Sequence, residues 1–130
     1  MGVNSSFTVI NNFFSITHVH NYGAAFSIFY GNRLFLITVS LLCLFLFYYF
    51  ILRKSFFSRF DVLTYGLLLG GVFGNLFDRI FNGYVIDYLD FCFLGYDFPI
   101  FNLADCFIVI SMVLIIADSL RSGKNEVRSN

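Results

Sequence analysis

The chain has 130 residues, of which 58% are hydrophobic, 22% aromatic and only 12% charged, and its formal net charge is zero. A mean hydropathy of +0.79 and about half the charge usual in soluble domains exclude an ordinary water-soluble globular protein. Zero net charge gives no reason to expect a nucleic-acid partner.

Residues 1–33 read as an extracytoplasmic β segment. Phe13-Phe-Ser-Ile-Thr-His-Val-His20 is rich in β-branched and aromatic residues, and Asn11-Asn12 and Asn21-Tyr-Gly23 supply turn signals. The expected structure is a small sheet resting on the outer membrane surface. His18 and His20 fall on one face of that strand, but no third ligand accompanies them, so no metal site is expected. Met1-Gly2-Val-Asn-Ser-Ser6 fits a myristoylation pattern, which we take as a chance match.

Residues 34–52 form an apolar run without charge, long enough to cross the ~30 Å hydrocarbon core as a helix. Tyr48 and Tyr49 suit an interfacial belt near its inner end. A second span is expected at 62–78. Its Gly66, Gly70, Gly74 and Asp78 recur every four residues along one helical face, and small residues let helices approach closely in lipid. Asn75, Asp78 and Arg79 follow at its outer end. A third span is expected at 98–118, entered through Pro99. There Asn102 and Asp105 have the spacing of a capping box, and a helix N-terminus favours negative charge. Cys43, Cys92 and Cys106 show no metal-ligand spacing.

Orientation follows from the basic residues. Arg53, Lys54 and Arg59 crowd the loop after the first span, and Arg121, Lys124 and Arg128 crowd the tail. The 53–61 loop and the C-terminus are therefore expected in the cytoplasm, with 1–33 and 79–98 outside. No hydrophobic segment within the chain carries residues 1–32 across, so an upstream helix is expected.

The chemistry-bearing candidates are Asp87 and Asp105, since a carboxylate at a membrane boundary is a functional hypothesis by default. If their carboxyls meet, they share a proton near neutrality, and one activates water while the other protonates a carbonyl. Asp90, three residues beyond Asp87, serves equally by spacing alone. Asp78 has a competing use as an ion partner or loop anchor, and Asp97 reads as a solvated loop acid.

Three ordered blocks carry a resemblance. Asn21-x-Gly23-Ala24-Ala25-Phe26 comes first. Gly70-Gly71-x-x-Gly74-Asn75-x-x-Asp78-Arg79-x-x-x-Gly83-x-Val85-x-Asp87-Tyr88 follows, and Phe98-Pro99-x-Phe101-Asn102-x-Ala104-Asp105 completes the set. Together they resemble bacterial lipoprotein signal peptidase (signal peptidase II), with Tyr88 where Phe is commoner.

The resemblance implies a membrane all-α bundle with a small extracytoplasmic β-sheet, or cradle. Four transmembrane helices are implied for the family, and three are present here. It implies an aspartyl endopeptidase of the bacterial cytoplasmic (inner) membrane. That enzyme removes signal peptides from prolipoproteins by cutting just before the diacylglyceryl-modified cysteine. Asp87 and Asp105 become the catalytic pair, with Asn21, Asn75, Asp78, Arg79 and Asn102 supporting the site or substrate. No cofactor is implied. Membrane lipid and prolipoprotein are the expected partners, and the expected unit is a monomer.

The family's first helix, with its Asp-x-x-Ser/Thr-Lys motif, does not occur in residues 1–130. This second argument for an upstream helix makes activity of the 130-residue form a question for experiment. The alternative reading is a non-catalytic membrane protein, either a degenerate homologue that binds lipoproteins or a proton-coupled carrier.

Overall fold

The structure is a computed structural model describing residues 1–24 and 28–129, with side chains described as far as Arg121. Ala25 and Phe26 of the first motif block, and the side chains of Lys124 and Arg128, lie outside the described residues. The elements run β1 (Ser6–Ile10), β2 (Phe14–Asn21), α1 (Arg33–Ile51), α2 (Arg59–Phe81), β3 (Val85–Phe93), β4 (Tyr96–Asp97) and α3 (Leu103–Ser129).

Arg33–Ile51, Arg59–Phe81 and Leu103–Arg121 are each long and apolar enough to cross a membrane. Most of their apolar side chains point outward. In lipid this carries no penalty, because acyl chains are as apolar as leucine. Polar groups on the spans bond back to their own helix, as Thr64 does to the Phe60 carbonyl at 2.7 Å and Ser111 to that of Ile108 at 2.8 Å.

α2 starts on a capping box. The Ser58 hydroxyl accepts the Asp61 amide at 3.1 Å, and the Asp61 carboxylate accepts the Ser58 amide at 2.9 Å. Asp61 also pairs with Lys54, which ties the α1–α2 loop to the start of α2. Arg53 lies 4.4 Å from the centre of the Tyr49 ring.

The glycine stripe needs correction. A Cβ at Gly66 or Gly70 would meet nothing within 4 Å. The contact is made by Gly71 and Gly74. A Cβ on Gly71 would lie 2.5 Å from the Ala104 carbonyl oxygen and 2.7 Å from Ile108 Cγ1, and one on Gly74 3.4 Å from the Ala104 Cβ. The face that α3 approaches decides which glycines matter: it takes Gly74 from the stripe and Gly71 from beside it.

The third helix also starts later than the expected residue 98. Phe101 bridges Leu89 in the antiparallel sense, and the Phe98 amide donates to the Phe91 carbonyl at 2.8 Å. Residues 98–101 are therefore spent on extended pairing, and Leu103 opens α3.

The four strands form one antiparallel sheet in the order β1-β2-β3-β4. β1 and β2 fall where extended structure is expected. β3 and β4 occupy a stretch read only as an outer loop. β2 and β3 pair from Phe14–Phe91 to Asn21–Val85, with an irregularity between Ile16 and Val19. His18 and His20 do share a face, their rings 5.0 Å apart, and His20 stacks on Tyr84 at 3.7 Å.

Candidate active site

Four elements converge at one end of the bundle. β3 brings Asp87, the start of α3 brings Asn102 and Asp105, the last turns of α2 bring Asn75, Asp78 and Arg79, and the end of β2 brings Asn21. Asp87, Asn102 and Asn75 are buried, at 3%, 4% and 9% exposure. Buried polar groups of this kind need hydrogen-bond partners, and each has them.

The local geometry of α3 follows from the capping pattern. Asn102 Oδ1 accepts the Asp105 amide at 3.0 Å, and Asp105 Oδ2 accepts the Asn102 amide at 3.1 Å. This fixes the Asp105 carboxyl and leaves the Asn102 side-chain amide free to point inward. Asn102 Nδ2 donates to Asp87 Oδ1 at 2.8 Å and to Asn75 Oδ1 at 3.1 Å. Asn75 Nδ2 donates to Asp105 Oδ1 at 2.7 Å. Asn21 Nδ2 closes the other side of Asp87, donating to Oδ2 at 2.8 Å. The two carboxyl groups are thus linked through two carboxamides, and each carboxyl oxygen named accepts one hydrogen bond.

Asp78 lies outside this chain of contacts. Its carboxylate accepts the Ile86 amide and the Asn82 side-chain amide, both at 3.1 Å. It therefore anchors the α2–β3 turn and sets where β3 begins. Gly83, at φ +87°, makes that turn in a conformation few other residues adopt. Arg79 reaches the Gly23 carbonyl at 3.0 Å and the Asn75 carbonyl at 3.3 Å. Its buried Nε has no partner among the described atoms, and its charge acts on Asp105, Asp87 and Asp78.

Strand alternation resolves Asp87 from Asp90. Residues an odd number apart on a strand point to opposite faces, so Asp90 looks away from Asp105. It accepts the Thr17 hydroxyl at 2.6 Å and, with Asp97, lines an open polar cavity of about 490 Å³ on that other face.

Burial pushes the Asp87 carboxyl above the ordinary carboxylate range. The bonds from Asn21 and Asn102 oppose that shift, the charge of Asp105 adds to it, and Arg79 opposes it. Two acids in unlike surroundings, one buried and biased toward holding its proton, are what an acid–base pair requires. Among the described residues no group of three or more His, Cys, Asp or Glu side chains is placed to hold a metal ion.

Sequence reasoning named all seven polar residues of this region. It missed the direct link between Asn75 and Asn102, 27 positions apart. It also missed β3, although Val85, Ile86, Tyr88, Phe91 and Phe93 are β-branched or aromatic and the segment is bounded by Gly83 and Gly95.

A family model described as Signal peptidase (SPase) II matches residues 1–121. Lipoprotein signal peptidases of Staphylococcus aureus strains JH9 and Newman are each 37% identical over 126 residues, which is 97% of this chain and 77% of theirs. A bacterial membrane enzyme solved by the in meso method at 2.3 Å resolution superposes with a TM-score of 0.87 at 37% identity, over 96% of this chain and 76% of that one. A second such structure, at 1.9 Å resolution, gives 0.80 at 38% identity over 92% and 77%.

Proposed function

The chain belongs to the signal peptidase II family, and within it we propose that Asp87 and Asp105 are the catalytic carboxylates of its peptidase activity. The activity itself, removal of signal peptides from prolipoproteins in a membrane, comes with the family. The observation that carries the residue assignment is the hydrogen-bonded path Asp87–Asn102–Asn75–Asp105 at the outer end of the bundle.

Asp87 is the general acid and Asp105 the general base. Asp105 takes a proton from water as the water oxygen bonds to the scissile carbonyl carbon, and Asp87 gives its proton to the carbonyl oxygen. The resulting diol collapses as Asp105 protonates the departing amine and Asp87 recovers a proton from a hydroxyl. One water is consumed, both carboxyls return to their starting states, and no cofactor enters the balance. General acid–base help of this kind is worth about 10²–10⁴-fold in rate. Asn21, Asn75 and Asn102 hold the two groups in register. Arg79 keeps a positive charge beside them, and Asp78 holds β3 in place.

The remaining assignments belong to the same reading. The bond cut is the one before a diacylglyceryl-modified cysteine, whose acyl chains stay in surrounding lipid. The membrane is the bacterial inner membrane. Arg53, Lys54, Arg59 and Arg121 gather at the ends of the helices away from the site, which supports an extracytoplasmic site and a cytoplasmic C-terminus. A monomer suffices, because one chain supplies every group named. One domain spans the chain, since sheet and helices meet at this site. The non-catalytic alternative is not favoured, because the relatives are named as peptidases.

The test is mass spectrometry of a precursor with and without the diacylglyceryl group, incubated with the protein in lipid vesicles. Cleavage of the modified precursor immediately before its lipidated cysteine is expected. Cleavage at another bond, or indifference to the modification, contradicts the reading.

A further inference from the structure

The β3–β4 hairpin has two unlike faces. Alternation puts Leu89, Phe91 and Phe93 on the face of Asp87, and Asp90 and Cys92 on the other. Cross-strand partners share a face, so Tyr96, opposite Phe93, joins the aromatic side, and Asp97, opposite Cys92, joins the polar one. The aromatic side is continuous. Phe91 and Phe93 stack at 5.8 Å, Phe93 meets Phe98 edge-on at 6.5 Å, and Phe98 meets Phe101 at 5.7 Å. Phe101 leads through Asn102 into exposed Leu103, the first residue of a membrane span. The surface that meets lipid on α3 is thus continuous with this face of the sheet.

The hairpin tip adds a second observation. Leu94 and Gly95 connect the strands with φ of +51° and +84°, the condition for a turn that favours Asn-Gly. A leucine is strained there, and this one touches so little of the protein that it is fully exposed. The strained leucine lies bare beside exposed Phe93 and Tyr96. Backbone strain of this kind concentrates at functional positions.

We propose that the β3–β4 hairpin is an anchor in the outer lipid leaflet, with Leu94 at its deepest point, and that it holds Asp87 at the depth of the interface. Asp87 and Phe93 are six residues apart on one strand, about 20 Å, so the anchored end and the reacting end are parts of one rigid ribbon. The tyrosine suits the headgroup boundary, while the carboxylate face of the ribbon stays in water. The inference rests on the membrane peptidase reading for its consequence, though not for its geometry.

The chain contains no tryptophan, so Leu94→Trp introduces a single reporter. The protein is reconstituted in phosphatidylcholine–phosphatidylglycerol vesicles whose acyl chains carry bromine either near the headgroup or near the methyl end. Val113→Trp, on the exposed side of α3 in mid-span, calibrates deep quenching. Blue-shifted emission of the residue-94 reporter, quenched most by bromine near the headgroup, is expected. Water-like emission without quenching, while the residue-113 reporter is quenched, overturns the anchor and leaves the peptidase reading untouched.

Leu94→Asn supplies a variant that the turn itself favours. It is expected to match the parent in detergent and to lose turnover in vesicles. Equal turnover in both media overturns the proposal. If the parent cleaves in neither medium, the quenching experiment alone decides the anchor.

Discussion

Asn75 and Asn102 are joined by a 3.1 Å hydrogen bond, and each gives another amide hydrogen to a different carboxylate, Asn75 to Asp105 and Asn102 to Asp87. The pair acts as a spacer between two acids that would otherwise repel. A network of this sort is not a sum of its parts. Asn75→Ala and Asn102→Ala should each reduce turnover, and the double variant should lose less than the two losses combined. The expected coupling is about 0.5–3 kcal/mol. Rate measurements on the three variants check it, and additive losses would mean that the two amides act separately.

The packing of α2 on α3 sets up that link. Gly71 precedes Asn75 by one helical turn, and its missing Cβ makes room for Ala104, next to Asp105. Gly71→Ala should push the helices apart, lengthen the Asn75–Asp105 contact and lower both thermal stability and turnover. Overpacking typically costs about 1–3 kcal/mol. Gly66→Ala meets open space and should be neutral in both measurements.

The pH dependence has a defined sign. Burial raises the Asp87 carboxyl above its usual range, and the Asn21 bond opposes that rise by favouring the charged form. If Asp87 must hold a proton to act, activity is lost as pH climbs through its raised value. Asn21→Ala removes the opposing bond, so the alkaline limb of the pH–rate profile should move to higher pH while the maximum rate falls. Profiles of parent and variant decide it, and a limb that moves to lower pH would contradict the assignment of Asp87 as the acid.

Asp90→Asn should leave turnover close to that of the parent. Asp90 faces away from Asp105, and its Thr17 contact survives with an amide oxygen as acceptor. Loss of cleavage would place the acid on the wrong face of β3.

Much of this was legible before any coordinates. The three spans could be read because lipid tolerates few polar residues over some twenty positions. The Asn102–Asp105 cap could be read because its partners are three residues apart. Asp87 was visible as an acid in a suspicious place, but Asp90 competed with it until Val85–Phe93 was known to be a strand, when parity alone separated the two. The glycines of α2 show the limit in the other direction. Their period was real, but only the position of α3 selects Gly71 over Gly66 and Gly70. The Asn75–Asn102 contact joins two elements through the tertiary fold and leaves no local signal. The Ser58–Asp61 capping box does leave one, in its Ser-x-x-Asp spacing.

The central claim is that Asp87 and Asp105 carry out the chemistry. Its most direct test is a gel-shift assay of a diacylglyceryl-modified prolipoprotein with the parent, Asp87→Asn and Asp105→Asn, each inserted in the same vesicles. The account predicts cleavage by the parent and a loss of about 10²–10⁴-fold in each variant at unchanged membrane insertion. Substantial turnover by either asparagine variant would remove that residue from the catalytic pair.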